Sequence, residues 1–371
     1  MLIGICGSIC SGKHTTAEYL IQHHGFLRLH LPSNSNPSAT SPDDAKRLLP
    51  SVTDEKGTRG LTFPDVDSLL DFVTKRWREH WVLTDIWDDI TLELLLRRPF
   101  FLLLSIDAPV GVRYSRFSAR CDLRSLAPMP LDRFINTDDT HLYGTSSTST
   151  TGGIAQLLSR AHLQILNHHP TTSQYYSFLR TLDLSSNARL RPTWDAYFMT
   201  IASLASLRSN CMKRRVGCVL VHNSRIISTG YNGTPRNLTN CNEGGCDRCN
   251  KGSGGGAALS TCLCLHAEEN ALLEAGRERI REGAVLYCDT CPCLTCSVKI
   301  AQVGVKEVVY SQTYNMDEAS RQVLKEAGVG LRQFSPPRTG LVGFGGGMQD
   351  EEVGSELVVR NGSGNGEMAR R

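Results

Sequence analysis

The first half of the chain alternates short apolar runs with stretches of helical spacing. Apolar runs at 2–6 and 100–107 predict buried strands, and the spacing of apolar residues over 154–167 predicts a helix. Strand and helix signals that alternate along a chain favour a parallel sheet covered by helices. We therefore expect an α/β domain over residues 1–187.

The second half shows a different order of elements. The pattern predicts an amphipathic helix over 193–209, followed by a β-hairpin over 216–231 with Asn223–Ser224 at its turn. Beyond a polar insertion rich in glycine and cysteine, a helix followed by a strand occurs three times. This order predicts a second α/β domain over 190–337, and the polar, Gly-rich stretch 338–371 is expected to be a disordered tail.

Composition limits the classes of function. The chain has 371 residues, 40% of them hydrophobic, which suits two or three domains with their own cores. Its formal net charge is only +3 and the charges are dispersed, so nothing points to a nucleic-acid partner. No apolar run approaches the length of a membrane span, and the first residues lack the basic start of a signal peptide. We expect a protein of the cytoplasm or the nucleus, with no membrane contact.

The cysteines are the most informative part of the composition. Of the 14 in the chain, three lie in the first half and eleven fall between Cys211 and Cys296. In a reducing compartment, clustered cysteines bind metal more often than they form disulfides. The second predicted domain is therefore expected to hold metal.

Two short motifs in that domain are typical of a catalytic zinc site. His266–Glu268 has the sequence His-Ala-Glu, and Pro292–Cys296 has the sequence Pro-Cys-Leu-Thr-Cys. His266, Cys293 and Cys296 would make three ligands, which leaves the fourth position of a tetrahedral zinc open for water. Zinc lowers the pKa of that water, and Glu268 is placed to move its proton without binding the metal. The two motifs in this order are the signature of zinc deaminases.

A structural zinc site with four closed ligands is the alternative for these motifs. It would leave Glu268 without a role. Each motif also lies at the start of a predicted helix, where the positive end of the helix dipole favours thiolates. We therefore predict the catalytic site.

From Arg191 to about Pro337, the sequence resembles the eukaryotic deoxycytidylate (dCMP) deaminases of the cytidine deaminase-like superfamily. The stretches that carry the resemblance are 191–199 (RPTWDAYFM), 209–217 (SNCMKRRVG), 230–235 (GYNGTP), 265–272 (LHAEENAL) and 292–296 (PCLTC). The whole chain, with its additional N-terminal domain, resembles the fungal form. The resemblance implies a three-layer α/β/α fold with a mixed five-stranded sheet, and the predicted order of elements agrees with that fold independently.

The same resemblance implies a reaction and its partners. It implies hydrolysis of dCMP to dUMP and ammonia, which supplies dUMP for thymidylate synthesis, in a homo-oligomer that is usually a hexamer. It further implies dCTP as an activator and dTTP as an inhibitor. Asn232 and Tyr314 are expected in the substrate pocket, although Asn232 also suits a turn and Tyr314 also suits ordinary packing. Candidates for binding the phosphate are Arg214, Arg215 and Arg236.

A second group of cysteines surrounds the polar insertion: Cys211, Cys241, Cys246, Cys249, Cys262 and Cys264. The spacing Cys246-x-x-Cys249 is typical of metal ligands, and the insertion has little apolar content to hold it together. Some members of the resembled family carry a second, structural zinc here. We predict such a site, with Cys211, Cys241 and Cys249 as ligands and Cys246 or Cys262 as the fourth. Free thiols are the alternative.

The segment from Gly7 to Lys13 fits the phosphate-loop pattern G-x-x-x-x-G-K between a strand and a helix. The candidate nucleotide-binding residues are Gly7, Gly12, Lys13 and Thr15. His14 stands where a serine or threonine should hold magnesium, although Thr15 follows. The domain otherwise resembles small nucleotide kinases. Three interpretations stay open: a degenerate kinase fold with a structural or regulatory role, nucleotide binding without turnover, and an active kinase.

Other functions also stay open at this point. The chain could deaminate free nucleosides or nucleic-acid bases, or it could be a nucleotide kinase or sensor with a zinc-bearing accessory domain. A nucleic-acid enzyme should present basic or aromatic surface for the strand, and none is evident. Zinc-loaded protein with Glu268 intact but no deamination would favour the kinase. The leading hypothesis is a zinc-dependent dCMP deaminase.

Overall fold

The computed structural model describes residues 1–32, 60–144, 153–252, 261–313, 318–337 and 340–343. The described strands form two sheets, one of seven strands and one of five. In the described part of the chain, no helix has both the length and the apolar character needed to cross a bilayer.

The seven-stranded sheet is built from the first half of the chain and one strand near the C-terminus. Its strands are β1 (Leu2–Gly7), β2 (Leu27–His30), β3 (Leu61–Thr62), β4 (Trp81–Leu83), β5 (Phe101–Asp107), β6 (Leu163–Leu166) and β12 (Gly340–Val342). The accompanying helices are α1 (Lys13–His24), α2 (Val66–Lys75), α3 (Asp89–Leu96), α4 (Val110–Asp122), α5 (Leu131–Tyr143), α6 (Ala155–Ser159) and α7 (Thr172–Leu182). All strand pairs are parallel, in the order β12-β6-β5-β1-β4-β2-β3.

Helices cover both faces of this sheet, which explains why its central strands are mostly apolar runs rather than alternating patterns. In β1, Ile3 and Ile5 belong to a core that includes Leu20 of α1. Leu2 and Cys6 point to the other face and belong to a core that includes residues of α2 and α3. Successive side chains of a strand point to opposite faces, so a continuous apolar run is the expected pattern here.

The predicted helix over 154–167 is confirmed only at Ala155–Ser159 and is wrong beyond it. The segment forms the short helix α6 and then strand β6, which pairs in parallel with β5. In Leu163–Leu166, apolar residues occur both two and three positions apart, so this four-residue segment fits the helical period as well as the strand period. The segment forms a strand because β5 offers it unpaired backbone groups, and this edge of β5 exists only in the folded domain.

The predicted disordered tail over 338–371 is wrong at Gly340–Val342. These residues form β12, which pairs in parallel with β6 and buries Val342 in the same core as Ile165. Three residues are too few for a periodic signal, and their order comes from the backbone groups of β6 that they satisfy. Residues 338–339 and 344–371 of the predicted tail lie outside the described residues.

The five-stranded sheet is built from the second half of the chain. Its strands are β7 (Gly217–His222), β8 (Arg225–Tyr231), β9 (Val285–Thr290), β10 (Glu307–Gln312) and β11 (Gly330–Gln333). The helices are α8 (Trp194–Ser206), α9 (Asp247–Asn250), α10 (Ala267–Ala275), α11 (Leu294–Val303) and α12 (Glu318–Glu326). In the order β11-β10-β9-β7-β8, β7 runs antiparallel to both neighbours and the other pairs are parallel. The predicted mixed five-stranded sheet is confirmed.

Helices lie on both sides of this sheet as well. Met199 and Ala202 of α8 pack with Val219 of β7 on one face. Residues of α10, α11 and α12 share a core with β7, β9 and β10 on the other. Helix α10 lies very close to β8, because a Cβ atom added at Gly230 would be 2.1 Å from the carbonyl oxygen of Ala267. This close approach positions the start of α10, where the first zinc motif lies.

Candidate active site

The two sequence motifs meet where α10 and α11 begin. His266 is the residue that precedes α10, and Cys293 is the residue that precedes α11. Cys296 lies in the first turn of α11. The two helices pack side by side through residues such as Ala271 and Ile300, so their N-termini face the same space.

The predicted zinc ligands have the spacing of a zinc site. The Nδ1 atom of His266 lies 3.3 Å from the Sγ atom of Cys293 and 3.4 Å from that of Cys296. Tetrahedral zinc with bonds of about 2.0 Å to nitrogen and about 2.3 Å to sulfur separates such donors by roughly 3.5 Å. All three ligand atoms lie within 4.8 Å of one another. The donor set therefore fits zinc.

The electrostatics of this group favour a metal-binding thiolate. The neighbouring Cys296 thiol and His266 lower the pKa of Cys293 to about 4. Cys293 also precedes the first turn of α11, where the backbone N–H groups of a helix are unpaired and stabilise negative charge. The site can therefore offer anionic sulfur to a cation at neutral pH.

Two consecutive glutamates in the first turn of α10 have different surroundings. Glu268 is only 4% exposed and lies beside His266, Cys293 and Cys296, and burial raises its pKa to about 7. Glu269 instead forms an ion pair with Lys299 of α11, with 2.6 Å between Oε1 and Nζ. Only Glu268 is thus available to the metal site, while Glu269 holds the two helices together.

Asn232, a predicted substrate residue, makes contacts with the backbone. Its Nδ2 donates to the carbonyl oxygen of Arg214 at 2.6 Å, and its Oδ1 accepts from the Val216 N–H at 2.8 Å. Its own carbonyl oxygen accepts from Ser209 Oγ at 2.7 Å. Asn232 therefore ties together three segments of the chain. The other predicted substrate residue, Tyr314, lies outside the described residues.

The three arginines considered for the phosphate lie in different surroundings. Arg214 donates from Nη2 to Gln312 Oε1 at 2.9 Å, at the end of β10. Arg215 is exposed. The Arg236 side chain is 90% exposed and pairs with Glu274 of α10. Arg214 is the one whose backbone is tied directly to Asn232.

Asp289, near the end of β9, is a polar residue of this region that the sequence motifs did not indicate. Its Oδ2 accepts from the Gly217 N–H at 3.1 Å, and Thr290 Oγ1 donates to its Oδ1 at 3.1 Å. Burial raises the pKa of Asp289. The residue connects β9 to the start of β7 just before the Pro292–Cys296 motif. No local signal marks it, because its partner lies 72 residues away.

The second group of cysteines also comes together. Cys211, Cys241 and Cys249, the predicted ligands, share one set of close sulfurs with Cys264. Cys246 and Cys262 belong to a second set, again with Cys249 and Cys264. The sequence prediction left Cys264 out of its ligand set, although the spacing Cys262-x-Cys264 was a usable signal.

The candidate phosphate loop, Gly7–Lys13, connects β1 to α1. Gly12 has a φ of 110°, and a Cβ atom there would be 2.4 Å from Asn167 Nδ2. Lys13 begins α1, and its Nζ lies 4.9 Å from the centre of the Trp87 ring. His14 is half-buried, and its Nδ1 has no hydrogen-bond partner among the described residues.

Comparison with known proteins identifies the family. Residues 192–312 match the family model of the cytidine and deoxycytidylate deaminase zinc-binding region. The chain is 47% identical over 339 residues to a deoxycytidylate deaminase of Schizosaccharomyces pombe, covering 91% of this chain and 99% of that protein. It is 49% identical over 348 residues to one of Saccharomyces cerevisiae, covering 90% and 97%. The chain belongs to the deoxycytidylate deaminase family. Because the two yeast relatives match about nine tenths of it, the chain is of the fungal type.

The region that matches the family model contains both zinc motifs of this family member. The chain is also similar to a solved structure of the dCMP deaminase from cyanophage S-TIM5 in complex with dCMP and dUMP. The two sequences are 32% identical over the aligned part. That comparison covers 39% of this chain and 98% of the phage protein, with a TM-score of 0.32.

Proposed function

We propose that this chain hydrolyses dCMP to dUMP and ammonia at the centre formed by His266, Cys293 and Cys296. The observation that carries the proposal is the donor geometry: one nitrogen and two sulfurs at zinc spacing, with the buried carboxylate of Glu268 beside them. The family membership supports cytosine chemistry at this centre. The fourth coordination position, left open by three protein ligands, suits a reacting water.

The chemistry divides between the metal and Glu268. Zinc, when bound, makes water available as a nucleophile near neutral pH. Glu268 accepts the proton of the attacking water and delivers it to the ring nitrogen N3 as oxygen adds to C4. Glu268 then transfers the second water proton to the amino group, the C4–N4 bond breaks, and ammonia leaves. Burial keeps bulk water from taking these protons, so one carboxylate can serve every transfer.

We propose that Asn232 orients the loop that carries Arg214 and Arg215 and offers its remaining amide hydrogen to the sugar. Within the described part of the chain, its hydrogen bonds to Arg214 and Val216 use one of the two Nδ2 hydrogens and one Oδ1 lone pair, which leaves a donor and an acceptor for the substrate. The arginines of the tethered loop suit a monophosphate better than Arg236, which pairs with Glu274. Tyr314 remains a candidate for the pocket.

The substrate comparison that tests this proposal uses the purified, zinc-loaded chain. We expect kcat/KM for dCMP to exceed that for deoxycytidine by about 100-fold, because charged hydrogen bonds contribute roughly 1.5–3 kcal/mol. Ammonia release measured with each substrate checks this. Equal turnover would contradict recognition of the phosphate. Turnover of neither by zinc-loaded protein would contradict the deaminase.

For the N-terminal part we propose a nucleotide kinase-like domain over 1–187 that binds a nucleotide phosphate at Gly7–Lys13 without turning it over. The left-handed backbone at Gly12 and the position of Lys13 at the start of α1 support phosphate binding. His14 argues against phosphoryl transfer. Thr15, the next hydroxyl, is rotated about 100° around the helix from the position that holds magnesium.

Lys13→Ala is expected to weaken nucleotide binding to this domain at least about 10-fold, since it removes the one cation of the loop. Isothermal titration with dCTP and dTTP, the effectors that the resemblance implies, measures the change. Lys75→Ala is the control, because Lys75 lies on α2 in an exposed ion pair with Asp71. Unchanged affinity in the Lys13 variant would remove the proposal. If the Lys13→Ala variant lost deamination even when no effector nucleotide was added, this domain would be coupled to catalysis.

A further inference from the structure

Six cysteines at the polar insertion form one continuous group of sulfur atoms, here called the sulfur cluster: Cys211, Cys241, Cys246, Cys249, Cys262 and Cys264. Its Sγ atoms are separated by 3.9 Å for Cys211–Cys249, 4.0 Å for Cys246–Cys262, 3.9 Å for Cys249–Cys262 and 3.9 Å for Cys249–Cys264. These distances exceed a disulfide bond by almost two ångströms. Tetrahedral zinc with four sulfurs at about 2.3 Å sets its ligands about 3.8 Å apart. The sulfur cluster therefore has the spacing of zinc ligands.

The six sulfurs divide into two sets of four that share two members. One set is Cys211, Cys241, Cys249 and Cys264, and the other is Cys246, Cys249, Cys262 and Cys264. In each set all Sγ atoms lie within 4.8 Å of one another. A single zinc takes four sulfurs and would leave two close beside it without a metal. We propose that the sulfur cluster binds two zinc ions in one binuclear centre, with Cys249 and Cys264 as bridging thiolates.

The packing of the insertion shows why metal is needed there. The buried group in this region consists of Cys241, Cys246, Cys249 and Cys264, with the partly buried Cys211 and Cys262 against it. Among the described residues, no aliphatic or aromatic side chain belongs to that group. Four small buried thiols remove too little apolar surface from water to offset the entropy of ordering the surrounding chain. Metal–sulfur bonds would supply the folding free energy that an apolar core would otherwise contribute.

The net charge of such a centre is small, and N–H groups of the protein lie close to two of its sulfur atoms. Six thiolates and two Zn²⁺ ions leave a net charge of about −2. The Met212 N–H donates to Cys241 Sγ at 3.4 Å, and Arg248 Nη1 donates to Cys262 Sγ at 3.6 Å. Asn250 Nδ2 also lies 3.9 Å from Cys241 Sγ. Donors of this kind orient and stabilise metal-bound thiolates. An arginine beside one terminal ligand offsets part of the remaining charge.

The sulfur cluster also connects to both walls of the active site. Cys264 lies two residues before His266, and the intervening Leu265 pairs with Gly233 through two backbone hydrogen bonds. On the other side, Asn210, next to Cys211, accepts from the Thr234 N–H at 3.1 Å. Ser209 Oγ donates a hydrogen bond to the backbone carbonyl oxygen of Asn232. The two zinc ions would thus position Asn232 and His266 without contacting substrate.

Metal counting tests the number of ions. The full-length chain, purified without chelator, should contain three zinc ions per chain. Elemental mass spectrometry of the acid-digested protein measures this number. Cys293→Ser, which removes a ligand of the catalytic site, should contain two. Two zinc ions in the unchanged chain would overturn the binuclear centre. Iron with acid-labile sulfide would overturn it as well, because tetrahedral sulfur sites also suit iron–sulfur clusters. This count does not depend on which substrate the chain deaminates.

Variants of single cysteines test the bridging. Cys241→Ser removes a ligand of one ion only and should leave two zinc ions, whereas Cys249→Ser removes a ligand of both and should leave one. Cys10→Ser, in the N-terminal part and outside both sulfur sets, should retain three. Equal zinc loss in the Cys241 and Cys249 variants would contradict the bridge.

Zinc X-ray absorption on the unchanged chain gives an answer that does not depend on how these variants fold. Two tetrahedra that share an edge place their metals roughly 3 Å apart. We expect a zinc–zinc scattering path at that distance. Its absence would overturn the proposal.

Discussion

Glu268→Gln is expected to lower kcat for deamination by roughly 10³-fold or more while zinc stays bound. Glutamine has nearly the same shape as glutamate, so the start of α10 and the metal ligands should keep their positions. An amide cannot accept a proton from water and pass it to the pyrimidine ring or to the leaving amino group. Initial rates with dCMP and the zinc content of the same sample check the two parts of this expectation.

The neighbouring residue provides a matched control. Glu269→Gln makes the same chemical change one position later, where the carboxylate pairs with Lys299 outside the metal site. We expect its rate to stay within about threefold and the free energy of unfolding to fall by at most about 1 kcal/mol, as for a partly exposed ion pair. A comparable loss of rate in both variants would assign the effect to the helix start. Loss of zinc in Glu268→Gln would show that Glu268 is a ligand.

Cys293→Ser is expected to empty the catalytic zinc site and to reduce turnover by at least about 10³-fold. The reason is that a serine hydroxyl, unlike the thiolate it replaces, is not ionised near neutral pH and binds zinc weakly. Without the metal, the pKa of the attacking water returns from about 7 towards 15.7, so little hydroxide is available. Zinc content and the rate of dUMP formation measured on one preparation check this.

Cys291→Ser is the control for that experiment. Cys291 is buried two residues earlier, and its sulfur belongs to none of the metal-binding groups found among the described residues. We expect it to retain the catalytic zinc and most of the turnover. If Cys291→Ser lost zinc as completely as Cys293→Ser, the ligand assignment at this motif would be wrong. Full activity in Cys293→Ser would remove zinc chemistry from the proposed reaction.

The catalytic ligands could be predicted from sequence because each motif is local. Glu268 follows His266 by two residues and Cys296 follows Cys293 by three, so one helix start fixes the geometry within each motif. The order of strands and helices in the second half was predictable for a similar reason. Four of its five strands have six or seven residues, which is long enough to separate the strand period from the helix period, and Asn223 at the hairpin turn is a residue type that tolerates positive φ.

Interactions between distant segments could not be predicted in this way. Strand β6 and strand β12 are short, and each exists because a neighbouring strand offers unpaired backbone groups. The buried Asp289 has its role through Gly217, far away along the chain. The contacts of Asn232 with Arg214 and Val216 likewise depend on how the loop before β7 folds back.

The sequence by itself determined the family, the catalytic motifs and the presence of excess cysteine near a weakly apolar insertion. Only the tertiary structure decided how those sulfurs are grouped, because six cysteines allow many sets of four and spacing does not rank them. Folding places Cys249 and Cys264 within reach of both sets. Sulfur-to-sulfur distances across the insertion are a property of the folded chain, and they turn a predicted single structural zinc into a proposed pair.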